Sequence, residues 1–277
     1  MSLLTRELRV TFAFVERNFN LVKRYWGWEI VWLVYSIVNA LSITFIGKAS
    51  AAITGQTMTQ TEIDKVILYL LLGTLVWHYL AVVFDGISEM IAWERWEGTI
   101  EYTFMAPISR FTHMIGSTLF SLIYGFLHTA LILAVVVLFF RLDLSRSNFL
   151  GAAMVLLAGS ASFVGLGIVA SVMPLLFPER GAQMTHIIKA SILLVSGVYY
   201  PIDVLPKWMQ KAAAISPATY VLQGARAAFI DGESLGELLR FVWPLLAMGA
   251  AMVPIGVYIF GICERYAKRT GRLKRNG

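Results

Sequence analysis

Apolar residues run along this chain in long unbroken blocks, and polar residues collect between them. Runs long enough to cross a bilayer, roughly 20 residues each, fall at Trp28–Gly47, Val66–Phe84, His113–Phe140, Phe149–Phe177, Thr185–Tyr200 and Phe241–Cys263. The fifth is short and ends on Tyr199-Tyr200-Pro201. Because the runs are continuous rather than alternating, strands are not expected, and the pattern predicts an all-α integral membrane protein of six transmembrane helices. Ahead of the first run the period changes. Leu4, Leu8, Phe12, Val15, Phe19 and Val22 recur at helical spacing, with Arg6, Arg17, Asn20 and Arg24 on the other side. That predicts an interfacial amphipathic helix over residues 3–25, lying in the headgroup layer. No short apolar core with a small-residue cleavage site precedes it, so no removable signal peptide is expected.

Composition agrees with this picture. The 277 residues are 58% hydrophobic and 14% charged, far from a soluble domain. Lys and Arg set the expected orientation. Arg6, Arg9, Arg17, Lys23 and Arg24 precede the first span, and Arg265, Lys268, Arg269, Arg272, Lys274 and Arg275 follow the last. The loops placed outside carry fewer: Lys48 and Lys65 in one, Arg141 and Arg146 in another. Both termini are therefore expected in the cytoplasm, with the chain multi-pass in the cytoplasmic (inner) membrane. The net charge of +6 suits contact with anionic membrane lipid rather than nucleic acid.

The single cysteine, Cys263, excludes an intramolecular disulfide and argues against a cysteine-based metal site. His78, His113, His128 and His186 show no HxxxH or HxxE spacing, so no metal centre is expected; a lone membrane histidine more often bonds a neighbouring helix. No GxxxxGK[ST] string occurs. An internal repeat of the kind many secondary transporters carry is not evident either.

The most informative polar segment is Trp93–Arg110, WERWEGTIEYTFMAPISR. Glu94, Glu97 and Glu101 follow one another at helical spacing and are expected to share one face. Gly98 permits close backbone approach, and Pro107 ends any helix near Ala106. Arg95 and Arg110 neutralise too little of that charge, which implies a basic partner or lipid-facing neighbours. The interleaved Trp93, Trp96, Tyr102 and Phe104 favour a docking surface over a solvated loop.

The string Glu94-Arg-Trp-Glu-Gly-Thr-Ile-Glu101, followed by Ala106-Pro-Ile-Ser-Arg110, closely resembles the E-R-x-x-G-T-[LI]-E…[AS]-P-[VIL]-S-R pattern of ABC-2 type permeases. These are membrane subunits of ATP-binding-cassette exporters such as the daunorubicin-resistance type. Ser196-Gly-Val-Tyr-Tyr-Pro-Ile-Asp-Val-Leu-Pro206-Lys-Trp, then Ser216-Pro-Ala-Thr-Tyr220, is similar to a second family segment; Ser216 stands where asparagine is common. The resemblance implies a single transmembrane domain over residues 1–277, with a cytoplasmic coupling loop at 89–112 and an outer re-entrant helical hairpin at 201–230. It implies that Glu94, Arg95, Gly98, Thr99, Glu101, Pro107 and Arg110 dock on an ATP-binding subunit. Two copies of that subunit would bind ATP and Mg, and a second permease, most simply a copy of this chain, would complete the complex. This chain itself would hold no cofactor and no ATPase site. Tyr199, Tyr200, Pro201, Pro206 and Pro217 mark the hairpin, where prolines interrupt an otherwise apolar stretch.

His78, Asp85 and Glu89 form one polar stripe on the second span. Ionisable groups in a span are functional candidates, although the two acids sit at its cytoplasmic end and call for a nearby cation. Ser117, Ser121, Gly125 and Thr129, and Ala161, Gly165, Gly167 and Ser171, are small-residue ladders suited to close helix packing. The expected function is permease of an ATP-driven exporter for an amphipathic substrate, whether drug, lipid or lipid-linked glycan. A proton-coupled transporter using the His78/Asp85/Glu89 stripe is the alternative. An integral membrane enzyme would need a convergent nucleophile, base or metal set, and none is visible.

Overall fold

The computed structural model describes residues 3–55 and 57–273. Lys274 and Arg275, counted above among the basic residues after the last span, lie outside them. In chain order the helices are α1 (Leu3–Arg24), α2 (Trp26–Lys48), α3 (Ser50–Thr54), α4 (Gln60–Ser88), α5 (Met90–Glu97), α6 (Ile100–Met105), α7 (Arg110–Phe140), α8 (Phe149–Ala170), α9 (Val172–Leu176) and α10 (Gly181–Val195). A 3-10 turn (Ile202–Val204), α11 (Lys207–Ile215), α12 (Pro217–Arg226), a π-helical turn (Ala227–Asp231) and α13 (Leu235–Arg269) complete the chain.

Among the described residues, five helices are long and apolar enough to cross a membrane: α2, α4, α7, α8 continued through α9, and α13. The sixth expected span is α10, which has 15 residues. At 1.5 Å per residue it reaches about 22 Å, less than a hydrocarbon core of roughly 30 Å. It stops there because Gly197 turns the chain at φ +69, which leaves Tyr199, Tyr200 and Pro201 beyond the helix rather than inside it.

Helix ends are set by caps rather than by hydropathy. Thr59 and Glu62 form a capping box that starts α4 six residues before the apolar run at Val66. Ser234 and Glu237 do the same for α13. Those capped ends lie opposite the end that carries Met90–Arg110 (here called basal), which α13 reaches with its C-terminal part through Phe260 and Glu264.

α8 lies at the centre, packed on α13, α4 and α12, and the ladders foreseen on α7 and α8 lie at close crossings. A Cβ on Gly165 would stand 2.6 Å from the Met252 Cβ, and one on Gly249 2.6 Å from the Ala161 Cβ. Those distances leave no room for a methyl group, so α8 and α13 pack nearly backbone to backbone. The main core joins Tyr79, Leu80, Val83 and Phe84 of α4 to Val155 and Phe163 of α8 and to Val221 and Leu222 of α12. A second cluster at the basal end joins Ile91, Ile100 and Phe104 to Ile168, Leu175 and Phe260. α2, in contrast, leaves Trp28, Val31, Trp32 and Tyr35 uncovered by the rest of the chain.

Candidate functional site

The block between α4 and α7 is two short helices, not one. α5 ends where Gly98 takes a left-handed conformation, φ 75. The Gly98 N–H donates to the Arg95 carbonyl at 3.1 Å and the Thr99 N–H to the Glu94 carbonyl at 2.8 Å, the bonding of a Schellman cap. α6 starts anew at Ile100 and ends before Pro107. The expectation that Glu94, Glu97 and Glu101 share one helical face is therefore corrected. The glycine reverses the chain between Glu97 and Glu101, so Glu94 points inward while Glu101 stays exposed.

Glu94 is 2% exposed. Its Oε1 receives Arg17 Nη1 at 2.8 Å and the Thr103 hydroxyl at 3.2 Å, and lies 3.0 Å from His113 Nε2. Arg17 also donates to the Thr99 hydroxyl at 3.1 Å. Burial alone would raise the Glu94 carboxyl. The hydrogen bonds and charges of His113 and Arg17 outweigh it and hold the group below the ordinary carboxylate range. Around this centre α1 clamps the block further. The Tyr25 hydroxyl donates to Glu97 at 2.9 Å, and the Thr112 hydroxyl donates to Glu7.

Arg95 and Arg110 also turn inward. Arg95 donates to the Leu175 carbonyl at 3.1 Å and the Arg272 carbonyl at 2.7 Å, and burial pushes its guanidinium below the usual value. Arg110 donates to Glu264 at 3.0 Å and caps α6 through the Thr103 and Phe104 carbonyls at 2.7 and 2.6 Å. Within the chain Arg17 pairs with Glu94 and the Tyr25 hydroxyl bonds Glu97, while Arg110 is spent on Glu264 and Glu101 stays exposed. Arg17 was legible as a cation on the polar side of α1. Thr103 lies inside the block but reads as one more small polar residue, and Glu264 follows the last apolar run, so neither stands out; His113 reads only as a histidine suited to bonding a neighbouring helix.

What the block shows outward is apolar and aromatic. Trp93, Trp96, Tyr102 and Met105 are exposed, the last two at 79% and 84%. They flank Glu101 and Pro107, which are exposed too, whereas Gly98 and Thr99 are half-buried. Trp93 and Trp96 pack edge to face, ring centroids 5.3 Å apart. The block therefore has two sides: an inner one welded to α1, α7, α9 and α13, and an outer one left largely exposed among the described residues, with Tyr25 against the edge of Trp96 and Arg6 at the Pro107 carbonyl.

At the other end, called apical, α11 and α12 form a short helical pair turned at Ser216-Pro217. Val221, Leu222, Gly224 and Ala225 of α12 are buried, while Trp208 and Ile215 of α11 are exposed. Arg226 anchors the pair, donating to the Gly197 carbonyl at 3.1 Å and the Val198 carbonyl at 2.7 Å, with its guanidinium 3.5 Å from the Tyr69 ring centroid. Of the marked residues, Tyr199 and Tyr200 lie at the turn out of α10, Pro201 and Pro206 bracket the 3-10 turn, and Pro217 starts α12.

The polar stripe of α4 divides. His78 stacks on His128 of α7, ring centroids 6.3 Å apart. Asp85 pairs with Lys189 of α10 at 2.6 Å, which is the cation the acids called for. Glu89 lies 3.6 Å from His186. The stripe is thus shared between two different neighbours rather than lining one continuous path.

The sequence profile of the ABC-2 type transporter matches residues 9–230. Over 164 residues the chain is 24% identical to the probable multidrug ABC transporter permease YbhR of Escherichia coli (strain K12), covering 59% of this chain and 44% of that protein. It is 30% identical over 94 residues to the linearmycin resistance permease protein LnrN of Bacillus subtilis (strain 168), covering 34% of this chain and 24% of LnrN. The matched stretches span less than half the length of either relative. The family profile runs from inside α1, through the two-sided basal block, to the π-helical turn of the apical hairpin, and the chain belongs to the ABC-2 type transporter family of multi-pass membrane permeases.

Proposed function

We propose that the chain is the permease subunit of an ATP-driven exporter, with ATP and Mg held by a separate ATP-binding-cassette subunit. One observation carries this reading: the outer side of the basal block, Trp93, Trp96, Tyr102 and Met105 around Glu101, is exposed while its inner side is fixed to four other helices. An uncovered aromatic patch rimmed by charge is the composition of a protein interface. Fixing the inner side lets a push on that patch reach α1, α7 and α13 rather than dissipate in a loop. In this reading Glu101, Pro107 and the half-buried Gly98 and Thr99 meet the partner, and Glu94, Arg95 and Arg110 position them.

Two such ATP-binding subunits would serve two permeases, most simply a homodimer, and the uncovered aromatic face of α2 supports a second membrane partner. α10 counts as the sixth span when the turn at Ser196–Tyr200 is added to it, and α11–α12 as the re-entrant hairpin dipping in from the outer side. The substrate would be amphipathic, whether drug, lipid or lipid-linked glycan; the multidrug permease and linearmycin resistance descriptions of the two relatives favour a drug. The docking is tested by co-expressing the permease with its ATP-binding subunit and measuring complex recovery and ATPase activity. Glu101→Lys and Tyr102→Asp are expected to lose most of the complex, because interface charge pairs and aromatic anchors contribute roughly 1.5–3 kcal/mol each, while membrane insertion and melting temperature stay unchanged. Normal assembly and transport in both variants would refute the docking face.

The orientation follows from the Lys/Arg distribution and places both termini, and the basal block with them, in the cytoplasm. Single cysteines at positions 5 and 270, in a Cys263→Ser background, should resist a membrane-impermeant thiol reagent in intact cells and react after lysis. Labelling from outside at either position would invert the topology.

A further inference from the structure

Away from the docking face, α4 and α10 meet through a compact set of charged side chains. Asp85 lies in the last turn of α4 and Glu89 caps its C-terminus one turn on, and His186 and Lys189 lie one turn apart on α10. We propose that Asp85, Glu89 and His186 form a site for a divalent transition-metal ion of the zinc type, which clasps α10 to α4 in competition with the Lys189 ammonium.

Three observations support the assignment. First, one ligand atom from each of the three residues can be chosen so that all lie within 4.8 Å of one another. Bonding distances of about 2.0–2.2 Å to a central ion require them to close by roughly an ångström. The His186 side chain, 56% exposed, is free to make that movement. Second, the Glu89 Oε1 is buried, has no hydrogen-bond partner and lies 3.6 Å from His186 Nε2. A buried carboxylate oxygen with no donor is an unfavourable arrangement that a cation relieves. Third, the donor set is chemically selective. Two carboxylates balance the charge of a divalent ion, and the imidazole favours zinc, cobalt or nickel over calcium and magnesium, which take oxygen ligands.

Lys189 gives the site two states. Its ammonium lies 2.8 and 2.6 Å from the two Asp85 oxygens, close to where an ion bound by Asp85 would sit. One cation excludes the other by charge and by space. When Lys189 holds Asp85, Glu89 and His186 are left as a loose pair; when a metal ion takes all three ligands, Lys189 is released towards solvent. α10 leaves Met184, Ile187 and Leu194 exposed and packs Ile188, Ile192 and Leu193 on the core shared with α4, so these polar contacts add to an apolar seam between the two helices. Exchanging ammonium for metal would therefore reset the position of α10 and of the hairpin that follows it. The inference does not depend on the docking proposal, because none of Trp93, Trp96, Glu101, Tyr102 and Met105 takes part.

The test uses the full-length permease in detergent, stripped with a chelator and titrated with buffered Zn2+, with bound metal counted per chain by elemental mass spectrometry. One Zn2+ per chain is expected. Glu89→Gln and His186→Ala should weaken it by at least the roughly tenfold that loss of even an outer-shell partner brings. Lys189→Met should tighten it severalfold, an effect that a merely structural salt bridge would not produce. Glu62→Gln, at the opposite end of α4, should leave it unchanged, and the melting temperature of each variant verifies that it is folded. No stoichiometric zinc in the wild type overturns the proposal. So does equal binding by folded Glu89→Gln and His186→Ala, which would mean an adventitious ion only, or a Lys189→Met variant that binds no tighter.

Discussion

Glu94→Lys is expected to leave little correctly folded permease in the membrane, whereas Glu101→Lys, seven residues on, is expected to fold normally. Glu94 is buried, with Arg17, His113 and Thr103 converging on one oxygen. Removing one partner of a buried ion pair costs about 3–5 kcal/mol, and a lysine there adds repulsion from Arg17. That is a large part of the about 5–15 kcal/mol that separates folded from unfolded protein. Glu94→Gln keeps a hydrogen-bonding side chain and should cost less. The measurement is the detergent melting temperature with the fraction recovered as a monodisperse peak. If Glu94→Lys melts with the wild type, the inner side of the block is not held as described.

Acid should act on the same contact. The Glu94 carboxyl is held below its ordinary value. Its contribution to stability is therefore complete above the unfolded value of about 4.3 and is lost as pH falls through the folded one. The melting temperature of the wild type should hold from neutral pH down to about 5 and drop below that. In Glu94→Gln this component of the acid slope should be absent.

The same residue shows what the sequence could and could not convey. That Trp93–Arg110 matters was legible, because charge and aromatic residues concentrate there between apolar runs. Which way each side chain faces was not. Counting at helical spacing from Glu94 to Glu101 assumes one helix, and a single glycine in the left-handed region breaks that count. Nor could the polar side of α1 reveal its partner. Headgroup lipids and Glu94 are equally good acceptors for Arg17, and only the packing of α1 along α7 decides between them. Hydropathy located the five long apolar helices but missed their ends. α4 runs from Gln60 to Ser88 around an apolar run at Val66–Phe84 because Thr59 and Glu62 cap it. α10 ends five residues short of Tyr200 because Gly197 turns the chain, although Val198, Tyr199 and Tyr200 continue the apolar pattern. In each case a local backbone device overrode a pattern read over many residues.

Arg226 drew no notice in the sequence, where it is one cation in an amphipathic stretch, yet the apical hairpin depends on it. Its guanidinium satisfies the carbonyls of Gly197 and Val198, which no helix bonds after α10 has ended, and lies against Tyr69. Arg226→Met fills similar space and removes the donors. Two buried carbonyls left unpaired cost about 1–3 kcal/mol each, and loss of the cation–ring contact adds roughly another 0.5–2. The hairpin should loosen, with a fall in melting temperature and loss of transport. Assembly at the basal block should persist, because none of its contacts involve α11 or α12. A second variant reaches the same turn from the other side. A Cβ on Gly73 would stand 2.0 Å from the Val198 carbonyl oxygen, so Gly73→Ala must push that turn away from α4. If both substitutions break one contact, the double variant should melt well above the value expected from adding the two single effects. Strict additivity would show that Arg226 and Gly73 act on separate structures, and an Arg226→Met permease that transports at the wild-type rate would show that the hairpin is anchored elsewhere.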